Sequence, residues 1–124
     1  MSGTKFLLDT NVIINHLNGN KNVEALLDGA LLYISAITIT ELISKNLPQS
    51  ESVILSHYLQ TVHVIHTNDF ICKLSAQIRR ESKLKLPDDI IAATSIFLHI
   101  PLVSFDSDFD IVNDLQINKV DFIK

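Results

Sequence analysis

The chain has 124 residues, enough for one domain and too few for two. Hydrophobic residues make up 47% of it, against three glycines and three prolines, which predicts a real core and excludes a disordered chain. A formal net charge of −4 excludes a broadly basic surface that would grip nucleic acid by charge alone. The longest apolar runs, Gly29–Ile39 and Ile96–Val103, are broken by Ser, His or Pro and fall short of the ~20 residues of a membrane span. The first residues lead directly into a strand-like segment without the apolar region of a secretory signal. Cys72 is alone and cannot form an internal disulfide, so the expected location is the cytoplasm, away from any membrane.

Lys5–Leu8 is a short apolar run that stops at Asp9 and reads as a buried strand. Asn11–Leu17 reads as a helix on Val12, Ile13 and Leu17, and Asn18-Gly19-Asn20 as a turn. Val23, Leu26 and Leu27 mark a second helix that Gly29 ends. Leu31–Ser35 is the second strand. A helix opening at Thr38-Ile39-Thr40-Glu41 follows it, stopped short of Pro48. Ser50–Gln60 is another helix and Val62–Ile65 a third strand. Asp69–Ser82 has Phe70, Ile71, Leu74 and Ile78 at helical spacing, and Pro87 introduces a helix with Asp88 and Asp89 in its first turn. Leu102-Val103 is the fourth strand and Val120–Ile123 a fifth, at an edge. Strands separated by helices imply a three-layer α/β/α sandwich, with a central parallel sheet of four to five strands, as one domain over residues 1–124.

In such a sheet, chemistry lies beyond the carboxyl ends of the strands. Asp9 follows strand one directly. Glu41 follows strand two by six residues, Asp88 opens the helix before strand four, and Asp106 follows strand four. Taken singly, Glu41 and Asp88 suit helix N-termini, and Asp106 and Asp108 suit a turn. Asp9 is harder to explain that way, because an unpaired carboxylate at the end of a buried strand is costly. Several carboxylates at one edge repel one another and need a cation, and oxygen-only ligands select a hard one, Mg²⁺ or Mn²⁺. His16, His57, His63, His66 and His99 lack zinc-ligand spacing and read as surface or satisfied core residues. The basic residues Arg79, Arg80, Lys83 and Lys85 fall within seven positions, opposed only by Glu81. They suit either a helix C-terminus and its solvated loop or a phosphate-contacting patch.

Four segments carry a family resemblance. Phe6-Leu7-Leu8-Asp9-Thr10-Asn11-Val12-Ile13-Ile14 resembles the opening motif of PIN-domain nucleases, and Ile34-Ser35-Ala36-Ile37-Thr38-Ile39-Thr40-Glu41-Leu42 their second. Asp88-Asp89-Ile90-Ile91-Ala92-Ala93-Thr94-Ser95 resembles the third, and Pro101-Leu102-Val103-Ser104-Phe105-Asp106-Ser107-Asp108-Phe109 the fourth. The four stand in family order along nearly the whole chain, whose length resembles the VapC toxins of toxin–antitoxin pairs.

The resemblance implies an endoribonuclease dependent on Mg²⁺ or Mn²⁺, in which Asp9, Glu41, Asp88 and Asp106 hold the metal and carry catalysis. Asn11 and Ser104 fall at the family's supporting positions, and Asp108 is a lesser acid beside Asp106. Asp89 stands where the family has a small apolar residue. It lies about 100° from Asp88 on the helix, and alignment on Ile91-Ala92-Ala93 favours Asp88 for the metal. The basic cluster, just upstream of Asp88, becomes a candidate RNA-contacting rim. The resemblance also implies a VapB-like antitoxin as partner and a homodimer. The rival readings are a non-catalytic PIN-like module that binds RNA or protein, and an aspartate-based phosphatase. The phosphatase wants an Asp where the chain has Asn11, and a later phosphate-binding Lys that the sequence lacks.

Overall fold

Phe6, Leu7 and Leu8 offer no polar side chain to solvent, and the strand they form lies at the centre of the sheet. The computed structural model describes residues 3–120. The strands are β1 (Lys5–Leu8), β2 (Leu31–Ser35), β3 (His63–Ile65), β4 (Leu102–Ser104) and β5 (Ile117–Lys119), all parallel, in the order β3-β2-β1-β4-β5. The helices are α1 (Thr10–Leu17), α2 (Lys21–Leu27), α3 (Ala36–Ile43), α4 (Gln49–Gln60), α5 (Asp69–Ser82) and α6 (Asp88–Leu98). A short 3-10 helix spans Ser107–Ile111.

The two-residue period of β1 divides the core between the faces of the sheet. Phe6 and Leu8 join Val12, Ile13, Val23 and Leu42 on the side of α1 to α4. Leu7 points the other way, into Ile71, Ile78, Ile91 and Phe109 on the side of α5 and α6. The result is the three-layer α/β/α arrangement, with helices covering both faces of a parallel sheet. Among the described residues, no helix is long and apolar enough to cross a membrane.

Short polar residues set the helix starts. Asp9, Asn20, Ser35 and Asn68 each accept a backbone N–H in the first turn of α1, α2, α3 and α5. Ser35 starts α3 at Ala36, two residues before the opening expected at Thr38. The edge strand also differs from expectation. The apolar run Val120–Ile123 attracted the assignment, but the ladder is set by β4, whose Leu102, Val103 and Ser104 align with Ile117, Asn118 and Lys119. Val120 follows the strand, buried on the α1–α4 side, and 121–123 lie outside the described residues.

Leu7 is wholly buried at the middle of this arrangement. Leu7→Ala is expected to lower unfolding free energy by about 2–5 kcal/mol, read as a fall in the urea midpoint with an unchanged slope.

Candidate active site

β1 ends at the sheet's carboxyl edge, and Asp9 is the first residue past it. Its carboxylate is buried and held from two sides. One oxygen accepts the Thr10 N–H at 2.9 Å, which caps α1, and the other accepts the Ser104 hydroxyl at 2.9 Å from the end of β4. The Ser104 oxygen in turn accepts the Asp106 N–H at 2.9 Å, and the Asp106 carboxylate accepts the Asp108 N–H at 2.8 Å as the cap of the 3-10 helix. On the other flank, the Thr10 hydroxyl donates a short hydrogen bond to the Glu41 carboxylate on α3. Asp9, Glu41, Ser104 and Asp106 thus form one hydrogen-bonded chain across the ends of three strands.

Asp88, the first residue of α6, faces this chain. Its carboxyl is pushed up to about 6, first by burial and then by the charges of Asp9, Asp106, Glu41 and Asp108. Burial also raises Asp9. The bonds from Ser104 and Thr10 pull it back, and the charges of Glu41 and Asp106 push it further up. The adjacent Asp89 is buried and accepts the Ile90 N–H at 2.8 Å.

Among the described residues, no three carboxylate, imidazole or thiol groups already stand as a finished metal shell. The site is therefore acidic and crowded in charge, but open in geometry. Its donors are all oxygens, the set that suits a hard divalent cation. His16 bonds to the Tyr58 hydroxyl at 2.8 Å, and His57, His63, His66 and His99 are exposed, so none joins the acids.

Asn11 is exposed in the first turn of α1, where its carbonyl accepts the Asn15 amide at 2.8 Å. Thr10 makes the link to Glu41 that the sequence reading did not assign. The available signal was a hydroxyl directly after the strand-ending acid, at a helix's first position. The basic cluster is split. Lys83 and Lys85 line a cleft of about 340 Å³ together with Asp88, Ser107, Asp108 and Ile111. Arg79 and Arg80 are exposed on the last turn of α5 and do not line it.

A family model for the PIN domain matches residues 6–115. No curated protein is matched in sequence. Among solved structures, a toxin–antitoxin complex from Klebsiella pneumoniae is similar at 27% identity and a TM-score of 0.79, over 92% of this chain and 98% of that one. VapBC-1 from nontypeable Haemophilus influenzae is similar at 26% identity and a TM-score of 0.75, over 94% and 98%. VapBC2 from Rickettsia felis, solved with a DNA fragment from its promoter, shares the fold at 20% identity and a TM-score of 0.84, over 95% and 100%.

The raised Asp88 has a consequence for stability without metal. Its folded value of about 6 stands above the ordinary 3.8, so the folded state holds the extra proton between these values and loses it as pH rises. The resulting destabilisation is absent below 3.8 and complete above about 6. The shift corresponds to at most ~3 kcal/mol, and screening at a half-exposed group leaves about 1 kcal/mol. In EDTA, Asp88→Asn should therefore be about 1 kcal/mol more stable than the wild type at pH 7 and lose that advantage near pH 4. Urea unfolding at the two pH values checks this, and a gain independent of pH would contradict it.

Proposed function

The chain belongs to the PIN domain family, and on that premise we propose that it is a metal-dependent endoribonuclease acting in the cytoplasm as the toxin of a toxin–antitoxin pair. The observation that carries the reading is the acidic field on Asp88, to which Asp9, Asp106, Glu41 and Asp108 all contribute. Carboxylates set against one another in this way are unfavourable alone and favourable around a divalent cation. Asp9, Glu41, Asp88 and Asp106 would hold Mg²⁺ or Mn²⁺, with Asp108 beside them. When bound, the cation supplies the acidification of an attacking water and the neutralisation of charge on the RNA phosphate.

The chain's own residues do the positioning. Ser104 fixes the Asp9 carboxylate from β4, and the Asp106 N–H fixes the Ser104 hydroxyl. Thr10 turns the Glu41 carboxylate toward β1 from the adjacent helix start. Asn11, exposed two residues after Asp9, is proposed as a supporting residue that meets a phosphate or ribose oxygen.

The toxin assignment is supported by the likeness to toxin–antitoxin complexes. It is supported also by an apolar groove of about 310 Å³ between α1, α3 and α4, with Ile14, Leu17, Leu42 and Ile54 in its lining. That groove is where the proposal seats a VapB-like antitoxin, and a homodimer completes the proposed assembly. The rival reading is a module that binds RNA or protein without cutting.

Purified protein with Mn²⁺ is expected to cleave a mixed pool of transfer and single-stranded RNA, and to lose that activity in EDTA. Asp9→Asn should reduce cleavage by at least ~100-fold, and Ser104→Ala, which removes only the positioning hydroxyl, by about 10–100-fold. Absence of cleavage together with absence of Mn²⁺ binding in calorimetry would transfer the assignment to the binding module. Sedimentation velocity tests the dimer, with a monomer at every concentration as the contrary result.

A further inference from the structure

We propose that the cleft between the α5–α6 connection and the 3-10 helix holds the nucleotide next to the scissile phosphate, with Lys83 and Lys85 on flanking RNA phosphates and Ile111 against the base. This rests on the nuclease reading and specifies how its substrate lies.

The first observation is the construction of the connection. Leu84 is buried between two exposed lysines and anchors the segment in the α5–α6 core. Lys83 sits at φ 57, the left-handed position that ends α5, with its N–H on the Arg79 carbonyl at 3.0 Å. The Lys85 carbonyl accepts the Asp89 N–H at 3.1 Å in the first turn of α6. Both lysines are therefore presented from a segment tied to the helix that carries Asp88.

The second observation is charge. Among the described residues, the ion pairs are Lys21–Glu24 and Lys119–Asp110. Lys83 and Lys85 share a cleft with Asp88 and Asp108, yet pair with neither. Unneutralised ammonium groups beside an acidic centre divide the labour that RNA cleavage needs, since a polyanion must be held close to carboxylates that repel it.

The third is the opposite wall. Phe109 and Val112 are buried and fix the 3-10 helix, while Ile111 remains 62% exposed in the cleft lining. An exposed aliphatic face next to phosphate-binding cations suits an unstacked base. A cleft of about 340 Å³ has room for a group of nucleotide size. A base can turn into it only where it is unpaired, so the proposed segment is single-stranded.

Binding is measured by fluorescence anisotropy with a labelled single-stranded oligouridine across a salt series. The Asp9→Asn background keeps cleavage from obscuring the result. Two lost phosphate contacts predict a log–log salt slope shallower by about 1.4, and about 25-fold weaker binding at 0.1 M salt, for Lys83→Gln/Lys85→Gln. Arg79→Gln/Arg80→Gln should leave both quantities near the parent values. Ile111→Ala should weaken binding severalfold at an unchanged slope. A parent slope in Lys83→Gln/Lys85→Gln, or a loss confined to the arginine variant, overturns the phosphate assignment; parent affinity in Ile111→Ala overturns the base contact. Wild-type cleavage is scored separately. An inactive wild type whose Asp9→Asn form shows the lysine-dependent slope sinks the nuclease reading and leaves the cleft standing. An active wild type without that slope does the reverse.

Discussion

A carboxylate buried at the end of the central strand is the constraint on which the rest of this molecule depends. Asp9 lies where the apolar run of β1 gives out, and a charge there is tolerable only if its oxygens are met by donors. One donor is the first amide of α1 and the other is a hydroxyl from β4. Meeting that requirement ties β4 to the junction of β1 and α1 across a long stretch of chain, since Asp9 and Ser104 lie 95 residues apart. The remaining members follow from it. Ser104 orders the backbone at Asp106, and Thr10, placed by the start of α1, reaches Glu41.

Around this point the two helical layers have different work. The α1–α4 side supplies Glu41 and a groove with a largely apolar lining. The α5–α6 side supplies Asp88 and the lysine-bearing connection that adjoins it. A net charge of −4 fits this division. Five of the 14 acidic residues, Asp9, Glu41, Asp88, Asp106 and Asp108, lie at one strand edge, and local cations beside them make a broadly basic surface unnecessary for approach to a phosphate.

Much of the fold was legible because the elements are short and punctuated. Lys5–Leu8, Leu31–Ser35 and Asp69–Ser82 stand in the structure with the limits that their hydrophobic pattern and flanking polar residues set. The start of α3 was displaced because Ser35 both ends a strand and caps a helix, and local sequence does not show a residue serving two elements. β5 was displaced because its limits come from its register with β4, while the denser apolar run lies just beyond it.

For the candidate site, local pattern suffices to set Asp9, Glu41, Asp88 and Asp106 at strand and helix ends, since each follows or opens the element beside it. Tertiary structure decided three further points. The first is the charge environment of Asp88, whose carboxyl is pushed up by burial and by the charges of Asp9, Asp106, Glu41 and Asp108 together. The second is that Thr10 connects Asp9's helix to Glu41. The third is that four basic residues within seven positions divide into two lysines in a cleft and two arginines outside it. The reason is common to all three. Strand and helix ends are set by neighbours in the chain, whereas the direction and charge environment of a side chain depend on segments that meet it only when the sheet closes.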